Sequence, residues 1–249
     1  MRAAAFLDAH ADELEGRIAA VLVAERPLSD GLAALDALQQ PDGGFSQRPG
    51  GPAGVAATLR GLGLLDDLRA LDAPSAERAC GWLERAQARD GSWGEGPTQE
   101  RVFATGMLAG HLAKTRCVRP HTLDSAGAYL ARHWAPERVQ GPDWPAIAAF
   151  AHFFANAPHE LADQALQWCG RELERGFRTR CFDAVRTARV FAYCDAHALP
   201  GARIDAAELV CSLLSEQVAD GSWRPAGDRS AQARVTHTLD ALVALVRLG

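Results

Sequence analysis

The 249-residue sequence has little of what marks several common protein classes. It contains a single lysine, Lys114, among 26 basic residues, and its net charge is −5. No basic face of the kind that nucleic-acid binding requires is therefore expected. Aromatic residues make up only 7% of the chain, and alternating apolar runs are absent, which argues against a β-sheet protein. The composition favours an all-α protein with no nucleic-acid partner.

Long apolar runs and paired cysteines are also missing. No stretch of ~18 uncharged apolar residues occurs, so we expect no transmembrane segment. Acidic residues from Asp8 to Glu15 interrupt the first apolar stretch, which does not fit a signal peptide. The six cysteines include no C-x-x-C pair. We therefore expect a cytoplasmic protein with free thiols.

Three segments of the chain resemble one another. They read Q-P-D-G-G-F at 40–45, Q-A-R-D-G-S-W at 87–93 and Q-V-A-D-G-S-W at 217–223. Each closes one apolar helical stretch and precedes another by about ten residues. The glycine after aspartate allows a tight turn. We expect the glutamine three residues before the aspartate to bind a neighbouring helix end, and the aromatic residue to fill the gap between hairpins.

The helical stretches come in pairs. The predicted pairs are 31–40 with 54–70, 75–89 with 101–116, 121–134 with 145–156, 160–175 with 182–197, and 203–218 with 231–248. The first member is amphipathic and the second is apolar almost all round, which predicts an outer and a buried inner helix. A period of 40–50 residues indicates a helical-hairpin repeat. One further helix is predicted at about 4–25.

The pattern Q-x-x-D-G-S-W, followed by an inner helix of the form T-x-x-A-L-x-A-L, resembles the QW repeats of squalene–hopene cyclases. It equally resembles the G-G-F repeats of protein prenyltransferase β subunits. The resemblance covers about 31–249. It implies an all-α fold, an α/α toroid of about five to six helical hairpins with inner and outer rings. The chain would be one domain over 1–249, with the N-terminal helix of 1–30 packing on the ring. In both families the central cavity holds a long isoprenoid.

Neither family's catalytic set is complete when the inner helices are aligned on their threonines. These threonines are Thr58, Thr105, Thr187 and Thr238. The acidic D-x-D-D-T of class II terpenoid cyclases is absent from all four helices. The prenyltransferase zinc set, D-x-C and H-T, is matched by Asp183 and His237, but its cysteine position is Val185. Cys181 lies two residues before Asp183, so the resemblance implies a possible zinc site of Asp183, His237 and Cys181. Without metal, Asp183 is a helix cap and His237 a pore-facing or capping residue.

Arginines lie near the predicted starts of the inner helices. The segment 176–181 resembles the prenyltransferase segment whose arginine binds diphosphate, with Arg180 as counterpart. Helix dipoles add at such a rim, so it suits an anion. The predicted substrate contacts are Arg180, Arg186, Arg234 and Arg101 for the anion, with Trp144 and Phe153 as cavity aromatics. Ion pairs with nearby acids, or ordinary core packing, explain the same residues.

Two functional hypotheses follow. The first is a terpenoid cyclase- or prenyltransferase-like enzyme of secondary metabolism, acting on an isoprenoid or other apolar substrate in the central cavity. Asp183 and His237 are then its acid/base or ligand pair. The second is a non-catalytic ligand-binding or scaffold toroid, and a partner protein is compatible with either. The enzyme hypothesis requires Asp183 and His237 to share one cavity, and a cavity filled by side chains favours the scaffold.

Overall fold

The computed structural model describes residues 2–228 and 230–249, and these residues form twelve α-helices and one 3₁₀ turn at Pro136–Arg138. The helices are α1 Arg2–His10, α2 Glu13–Leu22, α3 Leu28–Asp36, α4 Val55–Asp67, α5 Pro74–Ala86, α6 Thr98–Ala113, α7 Pro120–His133, α8 Trp144–Asn156, α9 Ala162–Arg178, α10 Ala184–Tyr193, α11 Ala206–Glu216 and α12 Ala231–Leu248. The predicted all-α class is confirmed. No helix in the described part of the chain has the length and apolar character needed to cross a membrane.

The helices form an α/α toroid of six hairpins. The even-numbered helices make the inner ring, in which α4 contacts α6, α6 contacts α8, α8 contacts α10, α10 contacts α12, and α12 contacts α2. Their burial follows from the sequence pattern. The outer helix α9 buries one stripe that includes Ala165, Cys169 and Leu173, whereas the inner helix α8 buries every residue from Ile147 to Phe154.

The N-terminal segment differs from its prediction. One helix was expected at about 4–25, but the first helix ends at His10 and a second begins at Glu13. Asp12 caps this second helix, α2, by accepting the backbone N–H of Glu15 at 2.8 Å. Helix α1 packs on α12, and α2 packs on both α12 and α3. Residues 2–22 therefore do not add a single helix to a finished ring. They supply its sixth hairpin.

Glu15 of α2 joins the two sides of the ring where it closes. Its buried carboxylate lies 2.9 Å from the guanidinium of Arg60 on α4, and it accepts hydrogen bonds from Gln232 and Thr236 on α12. Burial raises the pKa of Glu15, and the nearby Asp12 raises it further, while Arg60 opposes both. One side chain thus connects the first, second and last inner helices.

The repeated turns are linked by glutamine side chains. Gln39, Gln87 and Gln217 each donate to the carbonyl of the turn glycine four residues on, at 2.9 Å. Gln39 and Gln87 also donate to a carbonyl in the next outer helix, that of Ser75 or Thr122. In the first repeat the glutamine three residues before the aspartate is thus Gln39, not the Gln40 that begins the quoted segment. The predicted link between neighbouring helix ends is confirmed.

The threonines shared by the inner helices accept hydrogen bonds from the repeated turns. The backbone N–H groups of Phe45, Trp93 and Trp223 donate to the hydroxyls of Thr58, Thr105 and Thr238 at 3.0, 3.0 and 3.2 Å, respectively. The three aromatic side chains are fully buried. Thr187 differs, since no turn N–H among the described residues donates to it; its hydroxyl donates to the carbonyl of Asp183, as the hydroxyl of Thr238 donates to that of Arg234. The fourth inner helix carries the threonine without the D-G-S-W turn.

Each turn also needs glycine for a close approach to the next hairpin. Gly43, Gly91 and Gly221 have φ of 97°, 90° and 92°, respectively. A Cβ at these positions would lie 2.3, 2.1 and 2.4 Å from the backbone oxygens of the next outer helix, those of Arg78, Ser125 and Arg2. Because Arg2 begins α1, the last repeat contacts the first hairpin as the internal repeats contact their neighbours.

Ring closure predicts that Gly221→Ala is much more destabilising than Gly227→Ala. Gly227 has a φ of 97° but open space around it, so alanine there costs only the backbone strain, about 1–2 kcal/mol. At Gly221 the methyl group also collides with the backbone of α1, and we expect a loss of at least about 3 kcal/mol. Urea unfolding measures both losses, and equal losses would contradict closure by α1.

Candidate functional site

Asp183, at the start of the inner helix α10, lies beside His237, in the second turn of the inner helix α12. Asp183 caps α10, with one carboxylate oxygen accepting the backbone N–H of Arg186 at 2.8 Å. Its other oxygen lies 3.4 Å from Nε2 of His237 on α12. The extended backbone at Asp183 and the α12 register set by Thr238 produce this approach. The two side chains are therefore close enough to act as one unit.

His237 faces a cleft of about 440 Å³. The cleft lies between the N-terminal ends of α8, α10 and α12 and the loop before α12. Its lining includes Trp144, Val185, Arg186, Pro225, Asp228 and His237. The indole N–H of Trp144 donates to the carbonyl of Arg186 at 2.8 Å, which fixes the aromatic wall. Asp183 does not line the cleft, so it lies behind the imidazole.

The electrostatics of the pair favour an ionised Asp183. Burial acts to raise the pKa of this carboxyl, but the hydrogen bond and charge of His237, the N–H of Arg186 and its guanidinium together lower it. A carboxylate behind an imidazole orients the ring. Such a pair can accept a proton from a molecule bound in the cleft.

The predicted arginine contacts separate into two groups. Arg186 lines the cleft and forms no ion pair with the described residues. Arg180 is not in the cleft: its side chain is 85% exposed and lies 3.8 Å from Glu216. Arg189 also lines the cleft but is paired with Asp67 and Asp240, so among the described lining residues Arg186 is the cation available to an anion.

Arg101 and Arg234 belong to the repeated turns. Arg101 binds the carboxylate of Asp90 and the hydroxyl of Ser92, and Arg234 binds Asp220 and Ser222 in the same way. The serine hydroxyls and these guanidinium groups lower the pKa of Asp90 and of Asp220 to about 2. The expected common rim of four arginines does not form, because two of them form ion pairs with the turn carboxylates.

The residues do not fit the zinc site that the family resemblance implies. Cys181 is exposed, and it does not group with Asp183 and His237 within metal-ligand distances. Val185, at the cysteine position of the family pattern, is a buried apolar residue. One histidine nitrogen and one carboxylate oxygen, without the thiolate, do not make a closed zinc site.

The centre of the ring is nearly filled. The cavity there measures about 170 Å³, below the roughly 300–1,000 Å³ of ordinary small-molecule sites. Arg189 spans it, with 2.8 and 3.2 Å contacts to Asp67 and a 3.0 Å contact to Asp240. Asp66 and Asp67 are buried here and are only 5% and 7% exposed. A long isoprenoid does not fit in this space.

A buried polar cluster lies beside the central cavity. Among the described residues, Asp66, His111 and His152 alone meet metal-ligand spacing, with ligating atoms within 4.8 Å of one another. Lys114 already binds Asp66 at 2.9 Å, and a cation would have to displace it. His152 is fully buried with both ring nitrogens unpartnered, and burial and neighbouring charges hold its pKa well below the usual value. The first and last residues of this cluster are 86 positions apart in the sequence, so local spacing gave no sign of it.

A second cleft, of about 580 Å³, lies on the other side of the α8 N-terminus. Val102, Phe103, Pro145 and Phe150 give it an apolar lining, and charged groups that include Arg138 also line it. The sequence interpretation missed this cleft because its lining comes from α6, α8 and the 3₁₀ turn. Phe153, a predicted cavity aromatic, lines neither cleft and packs on Phe154 with ring centroids 5.1 Å apart.

Known proteins inform the fold of this chain but not its function. No protein-family model matches the chain, and no curated protein matches it. A solved crystal structure of a protein from Actinoplanes is similar, with a TM-score of 0.67 and 16% sequence identity. The similarity covers 99% of this chain and 97% of that chain. The whole toroid therefore has a counterpart of the same extent, and identity this low carries no function.

The lowered pKa of Asp183 predicts a pH-dependent difference between the wild type and Asp183→Asn. Asparagine retains the helix cap, so the substitution removes chiefly the charge opposite His237. An ionised Asp183 stabilises the fold above its unfolded pKa of about 4, and this contribution disappears as pH falls through the lowered folded pKa. We expect the wild type to be about 1–2 kcal/mol more stable at pH 5. That advantage shrinks towards pH 2.

Urea unfolding between pH 5 and pH 2 measures this difference. Asp143→Asn is the matched control, since Asp143 caps α8 by accepting the N–H of Ala146 at 3.2 Å. A stability difference for Asp183→Asn that stays constant over this pH range would contradict an ionised Asp183 coupled to His237.

Proposed function

We propose that the chain binds a compact molecule in the His237 cleft, with an aromatic or apolar body and one anionic group, and that His237 accepts a proton or hydrogen bond from it. The observation that carries the proposal is the Asp183–His237 pair, with His237 against the cleft and Asp183 behind it. Histidine backed by a carboxylate is a common arrangement for a general base. The proposed function is acid–base chemistry on this bound molecule.

The remaining lining supports this ligand chemistry. Trp144 supplies an aromatic face, and such faces bind flat apolar groups by stacking. Arg186 supplies a planar cation without an ion-pair partner among the described residues, which suits a carboxylate. The cleft volume of about 440 Å³ lies within the usual range for small-molecule sites.

For an isoprenoid ligand, the second cleft replaces the centre of the ring as the proposed binding site. The central cavity is small and crossed by ion pairs, but the cleft beside Phe103 and Phe150 measures about 580 Å³ and has an apolar lining. A terpenoid-type chain in that cleft, with its anionic head at Arg138, is our second candidate function. It requires neither zinc nor an acidic triad, and it fits a non-catalytic ligand-binding toroid.

The two candidates are distinguished by titrating the protein with 4-hydroxyphenylacetate, phenylacetate and farnesyl diphosphate. The first two probes differ by one hydroxyl, the group that His237 would receive. We expect both to shift the indole N–H resonance of Trp144, with 4-hydroxyphenylacetate binding several-fold more tightly because of the added hydrogen bond of about 1 kcal/mol. Farnesyl diphosphate is expected to shift the amide of Phe103 only if the second candidate holds.

Variants assign the contacts in this titration. His237→Gln is expected to abolish the preference for the hydroxylated probe, and Arg186→Gln to weaken both aromatic carboxylates about tenfold. Arg171→Gln is the control, because Arg171 is exposed on α9 and lies over the ring of Trp168 instead. The proposal fails if neither aromatic probe shifts Trp144, or if Arg171→Gln weakens binding as much as Arg186→Gln.

A further inference from the structure

Two cysteines far apart in the sequence meet at the α5–α6 hairpin. Cys80 lies on the outer helix α5, and Cys117 lies in the loop after α6. Their sulphur atoms are 2.7 Å apart. Non-bonded heavy atoms, even carbon atoms, normally rest about 3.5–4.0 Å apart. The packing of α5 against the α6–α7 loop therefore brings these two sulphurs closer than separate thiols prefer.

We infer that Cys80 and Cys117 form a disulfide when the protein meets a low-molecular-weight disulfide. A bond requires the sulphurs to approach by about another 0.7 Å, a movement within the reach of the loop that carries Cys117. The bond would close α5 and α6 into a covalent loop at the end opposite the D-G-S-W turn. The other four cysteines form no bond within the chain, because no other pair of the six has its sulphurs in contact among the described residues.

The exposure of the two thiols sets the order of the reaction. Cys117 is partly exposed, whereas Cys80 is 5% exposed and has Thr115 3.6 Å from its sulphur. Burial, together with the neighbouring Cys117, raises the pKa of the Cys80 thiol to about 12. The thiolate is the attacking species in disulfide exchange, so the accessible Cys117 reacts first.

The exchange balances in two steps. The Cys117 thiolate attacks one sulphur of the small disulfide, forms a mixed disulfide and releases one small thiolate. The Cys80 thiolate then attacks the Cys117 sulphur and releases the second small thiolate. The protein loses two protons and two electrons, and the small disulfide is reduced to two thiols.

The test incubates the full chain with oxidised glutathione, blocks remaining thiols with N-ethylmaleimide under denaturing conditions, and digests with trypsin. Cleavage after Arg78 and Arg116 separates the two cysteines, so a bond appears as a linked pair of peptides beginning at Ala79 and Cys117. We expect this linked pair and no other linked pair of cysteines, while the exposed Cys181 and Cys211 carry either glutathione or N-ethylmaleimide. This readout uses the wild type, so it does not depend on whether a variant folds.

Thermal unfolding supplies the second measurement. The bond constrains the unfolded chain, so oxidation is expected to raise the unfolding midpoint of the wild type and of Cys211→Ser, an exposed control. Cys117→Ser is expected to show no rise. The inference is overturned if Cys80 and Cys117 are both blocked by N-ethylmaleimide while dithiothreitol in a parallel sample is oxidised. It is also overturned if the reaction stops at a glutathione adduct on Cys117, or if another pair is linked.

Discussion

The contact between each D-G turn and the backbone of the next outer helix is the constraint on which the ring depends. It needs a glycine with positive φ, because a side chain would occupy the space of the neighbouring carbonyl. It also needs a glutamine whose amide bridges the turn and the following helix. The aromatic residue two positions after the glycine donates its backbone N–H to the inner-helix threonine, so one short motif fixes the outer helix, the inner helix and the neighbouring hairpin together.

This register determines what the inner helices present. Because α10 and α12 begin at the same rim, the capping carboxylate of Asp183 meets His237, and a cleft opens beside them. Deeper in the ring α10 and α12 bring Arg189 and Asp240 into contact with each other and with Asp67 of α4, and these ion pairs occupy the centre. Truncating one of these buried side chains would leave the charge of its partners without an opposite charge nearby. The residues at the centre therefore stabilise the fold. Chemistry is therefore expected at the rim, where a ligand finds space.

The fold was largely predictable, and the site was predictable only in part. The repeated turn and the amphipathic pattern predicted a helical-hairpin repeat, and the family resemblance implied its closure into a toroid. The shared threonines placed Asp183 and His237 at neighbouring positions. Local spacing could not show that Arg101 and Arg234 bind the turn carboxylates, because the partners are eleven and fourteen residues away and meet only after the turn folds. Nor could it show that α1 and α2 are the sixth hairpin, since they lack the D-G-S-W motif and receive its contact from Gly221 at the other end of the chain.

The N-terminal hairpin is part of the ring and not an appendage to it. Native-state hydrogen exchange of the full chain tests this most directly, by comparing amides of α2 with those of α4 and α12, the helices that Glu15 joins. A closed ring predicts that the best-protected amides of the three helices share one opening free energy, equal to that of global unfolding. An opening free energy for α2 far below that of α4 and α12 would contradict the account.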